Sequence, residues 1–181
     1  MGDSELGLRF RSGGDEELED VINRYGEKLL RYTTAILCDY QEAEDIVQEV
    51  FVSAYEHRTS FDGNNLSAWL YRIAHNLSMN HLKRRKLFYF SEIRDDIISE
   101  PRDTGFSEET LCAMRRLKPK ERAVLYGRIM EEQSYDELSH ISGHSPATLR
   151  KQFERAKKKL AEYLIAENPL YFGKGHNNEC T

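Results

Sequence analysis

Apolar residues recur at steps of three and four positions through most of this chain, which is the period of an α-helix. The first such face comprises Leu18, Val21, Ile22, Tyr25, Leu29, Tyr32 and Ile36. A second helix is predicted from about Gln41, because Asp39 and Glu42 have the spacing of a capping box. A third is predicted from near Leu66 into the basic run Lys83–Lys86. No alternating run predicts a strand, so we expect an all-α fold.

The helix-breaking residues divide the 181 positions into two helical units. Residues 91–107 are acidic, contain Pro101 and Gly105 and show weak periodicity, as expected of a flexible linker. The predicted organisation is a flexible tail over 1–14, a helical domain over 15–90, the linker over 91–107, a second helical domain over 108–166 and a C-terminal tail over 167–181. The predicted fold class is therefore two small helical domains joined by a flexible acidic linker, with a helix-turn-helix in the C-terminal one.

Composition excludes several classes of protein. Hydrophobic residues make up 39% of the chain, charged residues 31%, and the mean hydropathy is −0.69. No stretch approaches the roughly 18 apolar residues of a membrane-spanning helix, and the N-terminus lacks the apolar core of a secretory signal. We therefore expect a cytoplasmic protein without direct membrane insertion. Cys38, Cys112 and Cys180 are far apart and no His/Cys set is closely spaced, so we expect no disulfide framework, metal or cofactor.

The net charge of −5 conceals an alternation of acidic and basic segments. Residues 15–62 hold 4 basic and 13 acidic residues, whereas residues 64–90 hold 5 basic residues and no acidic ones. Residues 91–108 are again acidic, and residues 144–160 hold 6 basic residues against a single acid. The two basic segments are each about one helix long and are candidate phosphate-binding surfaces. A charged run is, however, more often a solvated helix face.

The sharpest local pattern lies in the second unit. A short helix over residues 135–142 is predicted to end at Gly143, and Ser145 followed by Pro146 marks the start of the next helix. Two helices joined by a tight glycine-containing turn form a helix-turn-helix. Opposite its apolar side, the second helix carries Arg150, Lys151, Glu154, Arg155 and Lys158. This division suits a helix in the major groove of DNA; the alternative is an ordinary helical hairpin with a solvated basic face.

The third predicted helix carries a second candidate surface. Its polar stripe is Arg72, Asn76, Asn80 and Lys83, which recur at helical spacing. Asparagine contacts base edges and basic side chains contact phosphates, while the neighbouring aromatics Phe61, Trp69 and Tyr71 are of the kind that stacks on unpaired bases. The alternative is that Trp69 and Tyr71 belong to the core and the asparagines are merely solvated. For Trp69 alone, the core is the better interpretation.

The second predicted helix has the opposite character. Its outer face is Glu42, Asp45, Gln48, Glu49, Ser53 and Glu56. An acidic face repels DNA, so it faces either water or a basic protein partner. From the residues alone, water is the default.

Three blocks, in order along the chain, carry a resemblance to a known family. They are Glu-Asp-Ile-Val-Gln-Glu-Val-Phe at 44–51, Trp-Leu-Tyr-Arg-Ile-Ala-His-Asn at 69–76 and Ser-Tyr-Asp-Glu-Leu at 134–138. At this spacing the chain resembles bacterial RNA polymerase sigma factors of the sigma-70 family, and its short two-domain layout resembles the extracytoplasmic-function (ECF) group. The resemblance covers about residues 16–90 and 108–166.

The resemblance implies a role for each surface. The acidic face would bind core RNA polymerase through Asp45, Gln48, Glu49 and Phe51. The melted minus-ten promoter element would contact Phe61, Gly63, Asn64, Asn65, Arg72, Asn76, Asn80, Lys83, Arg84 and Arg85, with a base flipped into the loop from Phe61. The duplex minus-thirty-five element would contact Ser145, Thr148, Arg150, Lys151, Glu154, Arg155 and Lys158. The resemblance also implies control by an anti-sigma factor, and it implies no small-molecule substrate.

The chain departs from the family pattern near the helix-turn-helix. Ser142 and His144 stand where apolar residues are usual, Ser139 stands where alanine is common, and Gln152 stands where a basic residue is frequent. Because buried polar side chains need partners, either Ser142 and His144 are exposed or this turn packs differently.

Three rival functions remain open at this point. A regulator that binds duplex DNA without polymerase would leave the acidic face and the asparagine stripe without a role. A sigma mimic that sequesters an anti-sigma factor could dispense with the basic recognition face, which this chain retains. An enzyme is the least supported class, because the chain has no phosphate-binding glycine loop and no metal-spaced His/Cys set.

Overall fold

The computed structural model describes residues 2–88 and 106–167, and these residues form helices without strands. The helices are α1 Asp3–Ser12, α2 Asp15–Leu37, α3 Tyr40–His57, α4 Leu66–Phe88, α5 Glu108–Arg115, α6 Pro119–Ile129, α7 Tyr135–Ser142 and α8 Pro146–Glu167. A short 3₁₀ turn, Arg58–Ser60, follows α3. The all-α prediction is confirmed for this part of the chain. None of its helices has the length and apolar character that a membrane-spanning segment requires.

The first unit is built on the apolar faces of α2, α3 and α4. Leu29 and Ile36 from α2, Val50 from α3 and Leu70 from α4 are completely buried in one core. Burying each of these side chains stabilises the fold by about 1.5–3 kcal/mol. Their helical spacing turns the polar sides of α3 and α4 outward.

Capping side chains set the helix starts where the sequence predicts them. The Asp39 carboxylate accepts a hydrogen bond from the backbone N–H of Glu42 at 3.0 Å, which caps α3. In the second unit, Ser134 and Glu137 form a reciprocal capping box at the start of α7. Both predicted N-caps are confirmed; the reciprocal capping box forms at α7, whereas the Glu42 carboxylate of α3 accepts a hydrogen bond from Arg85.

The first fourteen residues differ from the prediction of a flexible tail. Residues 3–12 form α1, and the Leu6 and Phe10 side chains on this helix are completely buried. Glycine occupies positions 2, 7, 13 and 14, a composition typical of a flexible segment, but Gly7 lies inside the helix and is buried. Only two apolar side chains anchor α1 deeply, and so short a pattern is weak in sequence.

The two units pack against each other, which the sequence did not predict. Helix α2 packs on α6, and α4 packs on α7. The rings of Tyr32 and Tyr126 meet edge to face with centroids 5.8 Å apart, and Ile141 joins the core of the first unit. The predicted linker falls outside the described residues except for positions 106 and 107, and the predicted C-terminal tail falls outside except for Glu167.

Candidate nucleic-acid interface

The polar stripe of α4 lies on the outside of the first unit. The side chains of Arg72, Asn76, Asn80 and Lys83 are all exposed. The opposite side of the helix is buried, with Leu70, Ala74 and Ser78 completely enclosed. The core therefore fixes the rotation of α4 and presents the four polar side chains along one line.

The basic end of α4 is divided between solvent and α3. Lys83 and Arg84 are exposed. In contrast, Arg85 Nη1 donates a hydrogen bond to Glu42 Oε2 at 2.9 Å, and His81 Nε2 lies 3.2 Å from the same oxygen. Of the basic residues predicted to contact minus-ten DNA, Arg85 is thus already held by a carboxylate of α3.

The loop between the 3₁₀ turn and α4 is ordered by its own side chains. Asp62 accepts hydrogen bonds from the backbone and side-chain nitrogens of Asn64, at 3.0 and 3.1 Å. The Asn65 carboxamide oxygen accepts from the N–H of Ala68 at 2.8 Å and caps α4. Gly63 has φ +90°, in the left-handed region that favours glycine. Asp62 and Asn64 remain exposed at the tip.

Phe61 and Phe51 lie deeper than the predicted contacts suggest. Phe61 is only 2% exposed, and its ring lies 5.2 Å from that of Trp69. Phe51 is 8% exposed and belongs to the core under α3. Neither ring is accessible for direct contact with DNA or polymerase. Each ring instead packs beneath the surface to which the prediction assigned it. The half-buried Trp69 packs against this core, in line with its interpretation as a core residue.

The outer face of α3 carries exposed acidic and amide groups. Asp45, Gln48 and Glu49 are all exposed, and Val52 beside them is 58% exposed. The face therefore combines negative charge with one accessible apolar side chain. Such a surface repels DNA and is complementary to a basic protein surface with an apolar spot.

The turn between α7 and α8 has partners for its unusual polar residues. Ser142 Oγ donates to the carbonyl of Leu138 at 2.8 Å and accepts from the N–H of His144 at 3.4 Å. The His144 ring lies 3.2 Å from Lys120 Nζ. Gly143 has φ +71° and ends α7 in the left-handed conformation. Ser142 and His144 are half-buried, so the turn accommodates them through hydrogen bonds rather than apolar packing.

Helix α8 presents its polar side to solvent. Leu149 and Ala156 are buried against α6 and α7. The exposed predicted contacts are Ser145, Thr148, Arg150, Lys151, Glu154, Arg155 and Lys158. Ser145 Oγ accepts from the N–H of Thr148 at 3.3 Å and caps the helix, and the Arg150 guanidinium lies 5.2 Å from the centre of the Tyr135 ring. Lys159 is different, because its hydrogen bond to Glu121 holds it to α6 and raises its pKa.

The contact between the two units contains buried polar groups that sequence patterns did not reveal. Tyr32 OH and His75 Nδ1 form a 3.0 Å hydrogen bond, and burial lowers the pKa of His75 to about 4, helped by the charges of His144 and Lys120. Arg122 donates to Cys38 Sγ at 3.2 Å, and its Nε has no hydrogen-bond partner among the described residues. Tyr32, His75 and Arg122 occupy ordinary helical positions, and Cys38 ends α2, so only the packing of α2 and α4 on α6 and α7 identifies this group.

Two family models match the sequence in the order of the two units. The one described as "Sigma-70 region 2" matches residues 21–88, and the one described as "Sigma-70, region 4" matches residues 107–160. The chain belongs to the sigma-70 family. The sigma-70 resemblance of the three sequence blocks is thereby confirmed.

Curated relatives place this sigma factor in the ECF group. The ECF RNA polymerase sigma factor SigW of Bacillus subtilis is 27% identical over 174 residues, spanning 86% of this chain and 93% of that protein. RNA polymerase sigma factor YlaC of the same bacterium is 28% identical over 160 residues, spanning 82% and 92%. The chain is accordingly a transcription initiation factor that binds core RNA polymerase and promoter DNA.

Solved structures of sigma factors have the same fold as this one. The sigma factor RpoE of Bartonella quintana, solved with the anti-sigma factor NepR, is 21% identical with a TM-score of 0.72, covering 84% of this chain and 99% of that one. CnrH, solved with the cytosolic domain of CnrY, is 21% identical with a TM-score of 0.69, covering 91% and 98%. At this identity the likeness establishes the fold.

Proposed function

We propose that the three exposed surfaces bind three different partners during transcription initiation. The acidic face of α3, with Asp45, Gln48 and Glu49, binds core polymerase. The loop over residues 61–65 and the polar stripe of α4 hold the melted minus-ten strand. Helix α8 reads the minus-thirty-five duplex.

The observation that carries this proposal is the opposite charge character of two neighbouring helix faces that share one core. Helices α3 and α4 share an apolar core, yet α3 exposes carboxylates and α4 exposes amides and basic groups. DNA is attracted to the second face and repelled by the first. The acidic face would have no role in a protein that binds only DNA. A polymerase subunit that contacts promoter DNA requires both the acidic face of α3 and the polar face of α4.

The exposed side of α8 supports sequence reading by the second unit. Arg150, Lys151 and Arg155 lie on the side of the helix turned away from the core. Arginine and lysine pair with guanine edges in the major groove, or with phosphates beside it. Two recognition sites about two helical turns apart on DNA thus correspond to the two units of the chain.

This sigma factor acts by binding and has no catalytic activity of its own, because the chemistry of transcription belongs to the polymerase that it directs. It works in the cytoplasm, where polymerase and chromosome are found. We also propose control by an anti-sigma factor. Support comes from the sigma factor RpoE of Bartonella quintana, which has the same fold and was solved in complex with the anti-sigma factor NepR.

The direct test combines the purified chain with bacterial core polymerase and fragmented genomic DNA, and maps transcript 5′ ends. We expect new start sites that share two upstream motifs and that are absent without the protein. DNA binding by the protein alone, with no new starts, would contradict the proposal and favour a regulator that works without polymerase.

A pair of variants tests the acidic face. Reversing charge in Asp45→Lys/Glu49→Lys removes the proposed contact, so we expect loss of measurable binding to core polymerase. The matched control is Glu16→Lys/Glu19→Lys, which changes net charge equally on exposed positions of α2. Equal polymerase binding by both variants would contradict the assignment.

A further inference from the structure

Helix α1 lies against the loop that we assign to the minus-ten strand, although the region 2 match begins only at residue 21. Phe10 of α1 is completely buried, and its ring centroid is 6.5 Å from that of Trp69. The ring of Phe61, at the start of the loop, is 5.2 Å from the same tryptophan. Trp69 therefore contacts both the N-terminal helix and the loop.

Gly7 allows α1 to approach the loop closely. A Cβ atom at this position would lie 2.9 Å from Cε1 of Phe61 and 3.4 Å from Cβ of Leu66. The first distance is too short for a real contact, so any side chain here would force the Phe61 ring to move. Glycine costs helix stability, and at this position it permits the contact that holds Phe61 in place.

The next residue of α1 contacts the loop at its turn. A Cβ atom on Gly63 would lie 2.9 Å from Cδ2 of Leu8, so the Leu8 side chain rests on this glycine. Leu8 is nevertheless 56% exposed. Nearby, hydrogen bonds from Asn64 hold the pKa of Asp62 below its usual range, and the charge of Arg11 on α1 acts in the same direction. The turn at Gly63 therefore faces α1.

A loop that already has its binding shape loses less conformational freedom when it takes up a base, and it binds more tightly and selectively. We propose that α1 is a positioning element of the minus-ten site, in which Gly7 and Leu8 fix the loop from Phe61 to Asn65. This inference rests on the proposed function of that loop. The inference adds a determinant of base specificity in α1, which precedes the segment matched by the region 2 model.

The test uses the full chain assembled with core polymerase. The probe is a single-stranded oligonucleotide with the non-template minus-ten sequence of a promoter mapped with the wild-type protein. Gly7→Ala displaces Phe61, and Leu8→Ala removes the contact with Gly63 without adding a clash. The control is Gly26→Ala, the same change inside α2, where the nearest atom to the new methyl is Ile22 Cγ2 at 3.9 Å.

We expect Gly7→Ala to weaken oligonucleotide binding on the order of tenfold, and Leu8→Ala to weaken it about threefold, both with unchanged affinity for core polymerase. Discrimination against single-base changes in the probe is expected to fall in both variants, an effect that a purely structural role does not produce. Trp69 is the only tryptophan of the chain, so its emission in the free protein reports the contact and is expected to shift in Gly7→Ala but not in Gly26→Ala.

Each remaining outcome decides against the inference. The inference is overturned if Leu8→Ala binds the oligonucleotide with wild-type affinity and discrimination and has an unchanged melting temperature. This holds even if Gly7→Ala folds poorly. Equal losses in Gly7→Ala and Gly26→Ala also overturn it. If the wild-type holoenzyme itself binds no such oligonucleotide, the proposed function of the loop fails first, and the role of α1 fails with it.

Discussion

The two basic helices, α4 and α8, present similar exposed faces but occupy different places in the molecule. Helix α4 lies at the centre and packs against α1, α2, α3 and α7. Helix α8 lies at the edge and packs against α5, α6 and α7. The exposed face of α8 is therefore separable from the fold, whereas α4 is shared by both units and its buried side joins them.

The first prediction, with the largest expected effect, compares a buried leucine on each helix. Leu70 is completely buried in the large core, whereas Leu149 belongs to a small cluster with Val124 and Leu138. We expect Leu70→Ala to lower the free energy of unfolding by about 4 kcal/mol and Leu149→Ala by about 2 kcal/mol, because the smaller cluster can collapse around the cavity. Urea unfolding measures both free energies. Equal losses, or a larger loss in Leu149→Ala, would contradict the difference between the two helices.

The second prediction concerns pH and the buried His75 on α4. Its pKa is about 4 in the folded protein, below the ordinary value of 6.5, because it is buried and faces Lys120 and His144. Well above pH 6.5 the ring is neutral in both folded and unfolded chains, and its contribution is constant. As pH falls from 6.5 towards 4, the unfolded chain takes up the proton first. The free energy of unfolding is therefore expected to be lower by about 3 kcal/mol at pH 4.

The control for this pH effect is His75→Asn, which does not titrate and retains an acceptor for the Tyr32 hydroxyl. We expect the difference in unfolding free energy between pH 7 and pH 4 to be smaller in this variant than in the wild type. Identical pH profiles of the two proteins would show that His75 does not carry the effect.

The third prediction tests whether the face of α8 is separable from the fold. Arg155 is exposed, so Arg155→Ala is expected to leave the free energy of unfolding unchanged. It should weaken binding of the holoenzyme to promoter DNA by roughly 1–3 kcal/mol if the guanidinium contacts a base. Fluorescence anisotropy on two upstream sequences distinguishes the contacts, since an equal loss on both sequences indicates a phosphate.

The fourth prediction has the smallest expected effect and concerns the N-caps of α4 and α8. Asn65 caps α4 and Ser145 caps α8 through similar hydrogen bonds. Each substitution to alanine should cost about 1 kcal/mol of stability. Asn65→Asp retains the cap but adds a negative charge, so it should keep wild-type thermal stability and lose affinity for minus-ten DNA. Full DNA binding by Asn65→Asp would argue against the proposed role of the loop.

Local pattern made much of this molecule predictable. Periodicity located the long helices, and the caps at Asp39 and Ser134 were confirmed because a cap depends on residues three positions apart. The orientation of the Arg72–Lys83 stripe followed from the apolar residues on the other side of α4. Helix α1 was missed because two buried side chains make too short a pattern to distinguish from a tail.

The long helices, their polar faces and the family were all readable from the residues alone. Packing between distant segments sets which of the predicted residues are accessible. It buried Phe61 and Phe51, tied Arg85 to Glu42 and joined the two units around His75 and Arg122. These outcomes depend on contacts between residues far apart in the chain. Helical periodicity records only which side of a helix is apolar, and it carries no information about which partner covers that side.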